Sequence, residues 1–95
     1  GGLSENIIRV VPDGLGLDIE ASALALPPVF DWLQREGGIT DAEMWRTFNC
    51  GIGFVLIASP DEAAAMQAML HAAGLDNRLI GEVVPAPGEP RVRIG

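Results

Sequence analysis

The sequence predicts an α/β (α+β) domain: a mixed sheet with helices packed on it. Three observations carry this. Capped helices with an apolar stripe recur, short β-prone runs stand between them, and Phe54-Val55-Leu56-Ile57-Ala58 is apolar without alternation. Such a run reads as a central strand covered on both faces. The predicted order is helix, strand, helix, helix, strand, helix, strand, strand, in at least two layers.

Each element has a local reason. Leu3, Ile7 and Val10 or Val11 follow helical spacing, so a short helix is expected over Leu3 to Val10, although Ile7-Ile8-Arg9-Val10-Val11 is also β-rich. Pro12-Asp13-Gly14 stops it. Leu15 to Glu20 alternates, with Leu17 and Ile19 on one face and Asp18 and Glu20 on the other. Ser22 to Leu26 reads as loop or a single turn. Pro27-Pro28 opens a helix to Glu36 with Val29, Phe30 and Leu33 inward and Trp32 near the edge; Gly37-Gly38 ends it. Thr40-Asp41-Ala42-Glu43 is a capping box for a helix to about Phe48, with Met44, Trp45 and Phe48 as its packing stripe. Ser59-Pro60-Asp61-Glu62 starts another, in which Ala63, Met66, Met69, Leu70 and Ala73 recur at helical spacing before Gly74. Leu79 to Val84 is the next strand. Pro85 to Pro90 is turn-rich, and Arg91 to Ile94 is expected as the other arm of a hairpin.

Composition narrows the function. The chain has 95 residues, 48% of them apolar and 20% charged, which fits one small folded domain. Six basic residues, all Arg, face 13 Asp and Glu, for a net charge of −7. That balance disfavours nucleic acid and anionic membranes as partners. One Cys and one His exclude a disulfide framework and argue against a zinc centre. The run Ile52 to Ala58 is too short to span a bilayer, and no signal-peptide pattern is visible. The expected setting is cytoplasmic and reducing.

Two places could carry chemistry. Gly1-Gly2 precedes a helix, where backbone N–H groups can converge on an anion without any lysine; a flexible chain end is the alternative. Asn6 and Arg9 fall on a similar side of that helix, Arg9 free to clamp a phosphate or to pair with Glu5. Asn49-Cys50-Gly51-Ile52-Gly53 links a capped helix to the apolar run, either as a ligand-facing loop or as a tight entry into a crowded strand. Cys50 reads as a small buried thiol and His71 as a helix residue near a favourable dipole end, not as a nucleophile and its base. No Walker loop, dinucleotide fingerprint or metal-ligand spacing is present.

Those two places also carry a resemblance. Gly1-Gly2-Leu3-Ser4-Glu5-Asn6-Ile7-Ile8-Arg9-Val10-Val11-Pro12, Leu26 to Gln34, Glu43 to Gly53 and Ile80-Gly81-Glu82-Val83 together resemble the phosphoribosylformylglycinamidine cyclo-ligase (AIR synthetase) family. They match the later part of its C-terminal domain, an α/β unit with partial resemblance to ferredoxin-like topology, here truncated. The resemblance implies that residues 1–95 are a partial C-terminal domain, and that an N-terminal domain carrying most of the ATP site and the homodimer contact is absent. It implies ATP- and Mg2+-dependent ring closure of formylglycinamidine ribonucleotide to aminoimidazole ribonucleotide in purine biosynthesis, with the 95-residue piece inactive alone. Carried over residue by residue, it makes Gly1 and Gly2 a substrate-phosphate nest, Asn6, Arg9, Asn49, Gly51 and Gly53 cleft-lining candidates, and no residue here a catalytic group or metal ligand. The family commonly has proline where this chain has Ile8, which restores an N–H in the first helix.

Overall fold

The computed structural model describes all 95 residues. Helix α1 spans Leu3–Ile7 and continues as a 3-10 turn over Ile8–Val10. Strand β1 is Leu15–Ile19, followed by a 3-10 turn at Ala21–Ala23. Helices α2 (Pro28–Gly37), α3 (Asp41–Thr47) and α4 (Pro60–Ala72) come next, then strands β2 (Gly81–Pro85) and β3 (Arg91–Ile94). The architecture is mixed α/β, with one three-stranded mixed sheet in the order β2-β1-β3.

Local chemistry places the helix ends where expected. Pro28 occupies the first turn of α2, and Gly38 ends it in the left-handed region at φ 59°. The Thr40 hydroxyl accepts from the Glu43 N–H at 3.3 Å, half of the expected capping box. The other half is replaced, because the Glu43 carboxylate accepts instead from Arg46 and Thr47. Ser59 differs as well: its hydroxyl donates to the Glu62 carboxylate at 3.0 Å and caps no backbone N–H.

The terminal hairpin is corrected. β1 lies between the last two strands, antiparallel to β2 (Leu17 opposite Val83) and parallel to β3 (Leu17 opposite Val92). The Pro85 to Pro90 connection passes around the start of β1, where Gly14 N–H donates to Gly88 O and Ala86 N–H to Gly14 O, each at 2.9 Å. Strands on either side of a central one stand roughly 9–10 Å apart, too far for ladder hydrogen bonds. β1 therefore occupies the place a hairpin would need. β2 also begins at Gly81, two residues later than the β-prone run, although Ile80 O accepts from Glu20 N–H at 2.9 Å.

The core is small. Leu3, Ile7, Val11, Leu17, Ile19 and Leu24 form one buried cluster, with Trp45, Ile52, Val92 and Ile94 packed partly against it. The alternation in β1 holds: Leu17 and Ile19 are buried, while Asp18 sits on the other face, 3.9 Å from Arg93.

Three burial expectations fail. Val29 is 57% exposed, and α2 holds no fully buried residue; it attaches instead through Phe30, whose ring meets Phe48 edge-on at 6.0 Å. Met69 of α4 is also exposed. The largest departure is Phe54 to Ala58, which forms no strand, with Phe54 84% exposed. No backbone N–H or C=O from Gly53 to Ala58 has a hydrogen-bond partner. An apolar run becomes a strand only against a neighbouring edge. The outer edges of β2 and β3 are open, since each pairs with β1 alone, but no backbone hydrogen bond joins this segment to either of them.

Candidate functional site

The two glycine-rich places meet because a helix start is seated on a helix end. The N-terminal donors of α1 serve the unsatisfied carbonyls at the end of α3. Gly2 N–H donates to Arg46 O at 2.7 Å, Leu3 N–H to Phe48 O at 2.9 Å, and the Ser4 hydroxyl to Trp45 O at 3.3 Å. Gly2 is buried there, and a Cβ on it would overlap the Arg46 carbonyl. Its glycine is thus required for close helix approach. Of the N–H groups expected to form a phosphate nest at Gly1 and Gly2, that of Gly2 already has a partner, as does the N–H of Leu3 that follows.

Asn6 holds the segment from the other side. Its Nδ2 donates to Gly1 O and to Gly2 O, each at 2.9 Å. Glu5 pairs loosely with Arg46 at 3.9 Å and not with Arg9, which makes no ion pair. Arg46 in turn is held by Glu43, so that the Glu43 carboxyl lies below its ordinary range and the Arg46 guanidinium above its own; their mutual hydrogen bond is the main cause.

The Asn49 to Gly53 turn follows directly from α3. Asn49 Oδ1 accepts from Gly51 N–H at 2.9 Å, and Ile52 N–H returns to Asn49 O at 3.0 Å. Cys50 and Gly51 are consecutive left-handed residues, at φ 55° and 87°. Gly51 meets a second constraint, since a Cβ there would lie 2.5 Å from Pro27 Cγ. Cys50 is buried and its thiol donates to Met44 O at 3.6 Å. Burial pushes that thiol's pKa up, the opposite of an activated nucleophile. Gly53 differs from Gly51: its φ is ordinary, and a Cβ there would meet nothing within 4 Å.

Between these two segments lies an open cleft of about 700 Å³. Gly1, Leu3 and Asn6 line one side, and Asn49, Gly53 and Phe54 the other. Four of the seven residues singled out from the sequence are therefore brought together. Gly2, Arg9 and Gly51 are not at the cleft surface; Gly2 and Gly51 serve packing, and Arg9 is exposed beside it. Sequence reasoning missed that Asn6 clamps both glycine carbonyls and that Phe54, read as core, is a cleft wall. The i+4 and i+5 spacing of Asn6 from Gly2 and Gly1 was the available signal for the first.

Comparison with known proteins gives the chain a family. Residues 1–93 match the family model described as AIR synthase related protein, C-terminal domain. A phosphoribosylformylglycinamidine cyclo-ligase of Xanthomonas oryzae pv. oryzae (strain PXO99A) is 72% identical over 94 residues, covering 99% of this chain and 28% of the relative. Its counterpart in Xanthomonas campestris pv. campestris (strain B100) is 68% identical over 95 residues, 100% of this chain and 28% of that protein. That of Xylella fastidiosa (strain Temecula1 / ATCC 700964) is 58% identical over 95 residues, 100% of this chain and 27% of that protein. The chain thus spans a little over a quarter of the length of these curated relatives. With a family-model match over almost all of its residues, this chain belongs to the AIR synthase related family, to which it corresponds as a C-terminal domain.

Proposed function

We propose that this chain forms one wall of the substrate cleft of an ATP-dependent cyclo-ligase. The complete enzyme would convert formylglycinamidine ribonucleotide to aminoimidazole ribonucleotide, with release of ADP and phosphate. The observation that carries this reading is the cleft itself. It joins the Gly1 to Asn6 and Asn49 to Gly53 segments, in a chain 72% identical to a curated cyclo-ligase.

Here the contribution of these residues is positional. A planar, partly apolar substrate can rest against Leu3 and Phe54 while Asn6 and Asn49 orient its polar edge, which supports alignment for ring closure. In such a reaction phosphoryl transfer activates the amide oxygen and the amidine nitrogen then closes the ring. The residues present do not fit magnesium-ATP. No cluster of three or more His, Cys, Asp or Glu is gathered, and no carboxylate lines the cleft. No phosphoryl step is therefore assigned to them. Homodimerisation through other parts of the enzyme and a cytoplasmic setting belong to the same proposal.

The test is ADP release with formylglycinamidine ribonucleotide. The complete gene product is expected to turn over, and the 95-residue chain alone is not. Turnover by the isolated chain, or none by the complete product, would refute the reading.

A further inference from the structure

The two asparagines of the cleft have fixed and opposite polarity. Both amide hydrogens of Asn6 are directed to carbonyls, Gly1 O and Gly2 O, which leaves Oδ1, an acceptor, as its uncommitted group. Asn49 is the reverse. Its Oδ1 receives the Gly51 N–H, which leaves Nδ2 with two donors. In each case the hydrogen-bond partners themselves decide which end of the carboxamide is oxygen.

The other side chains that line the cleft are uncharged. They are apolar, namely Leu3, Ile7, Val10, Ile52, Phe54, Val55 and Ile57. Arg9 does not line it. The Gly2 and Leu3 N–H groups, which would be natural donors for an anion, are bound to α3 carbonyls. A phosphate placed here would lose its water to an apolar wall with no cationic side chain to receive it. An uncharged group with one N–H and one C=O would meet an acceptor and a donor.

We infer that this cleft selects an uncharged amide-class group, its N–H donating to Asn6 Oδ1 and its carbonyl accepting from Asn49 Nδ2, and does not select a phosphate. This deepens the reading above and rests on it for the substrate. It assigns the cleft to the formamido end of formylglycinamidine ribonucleotide.

The test uses the complete gene product labelled with ¹⁵N at asparagine, titrated with N-formylglycinamide or with inorganic phosphate. Side-chain signals are assigned by their loss in Asn6→Asp, Asn49→Asp and Asn77→Asp. Asn77 is the internal control, because its Nδ2 is bound to Gln67 O and Leu75 O away from the cleft. The amide is expected to move the Asn6 and Asn49 signals and leave Asn77 still, while phosphate moves none of them. Asn49→Asp keeps an acceptor for the Gly51 N–H, so the turn persists, but it replaces the donor by an anionic oxygen. It should weaken amide binding by about tenfold or more. Phosphate moving the Asn49 signal while the amide does not would overturn the inference, as would equal amide binding by Asn49→Asp. Failure of ADP release with amide binding intact removes the proposed reaction and spares the polarity assignment; the reverse result spares the reaction.

Discussion

Gly51 and Gly53 stand two positions apart and carry different demands. Gly51 combines a left-handed backbone with contact against Pro27. Gly51→Ala should lower stability by about 1–3 kcal/mol, read as a shift in the urea midpoint of the complete gene product. Gly53→Ala faces open space at an ordinary φ and should stay within about 0.5 kcal/mol. Equal losses at the two sites would contradict the account of the turn. Cys50 supports a separate prediction. Burial raises its folded-state pKa, so the neutral thiol is favoured in the fold. Its contribution is fully present below the unfolded thiol pKa of about 8.5 and is lost as pH rises from there through the folded value. Wild type should therefore lose stability relative to Cys50→Ala between neutral and alkaline pH. Parallel urea midpoints for the two proteins across that range would show that the thiol is not buried as described.

Among the elements, α1 and α3 depend on each other. A helix of five residues is too short to persist alone, and α1 persists because its first donors meet the end of α3. The Phe54 to Ala58 segment has the opposite condition: strong strand preference and no partner. In the 95-residue chain its amides should exchange with solvent at nearly the unprotected rate, whereas those of β1, paired on both edges, should exchange slowly. Slow exchange across Val55 to Ala58 would mean that it has found an edge to pair with. Uniformly fast exchange throughout would mean the chain forms no stable domain by itself. An uncharged, β-prone segment of this kind is also a site where chains pair with one another.

At the level of the molecule, the chain is thin and open. Its extents are 41 × 38 × 19 Å and its radius of gyration is 14.2 Å, against about 13 Å for a compact chain of similar length. Only 10 of 95 residues are buried, and Phe54, Leu56, Ile57, Leu79 and Met69 all exceed half exposure. That geometry underlies the proposed division of activity, since an open cleft excludes little water and leaves reactants unaligned.

Much of this was legible in the amino-acid sequence. Helix starts and stops, the two-faced character of β1, the buried state of Cys50 and the family resemblance all follow from nearest-neighbour chemistry and short motifs. Caps, proline at the first turn and the i, i+4 stripe act over one or two turns, so a linear reading suffices. What was decided elsewhere is long-range. Only the tertiary structure put β1 between β2 and β3, left Phe54 to Ala58 without a ladder, turned the first N–H groups of α1 toward α3 and gave the two asparagines opposite free ends. Hydrophobicity states that a segment prefers burial and is silent on which surface will bury it. Hydrogen-bond polarity belongs to pairs of residues, and a pair exists only once the chain has folded.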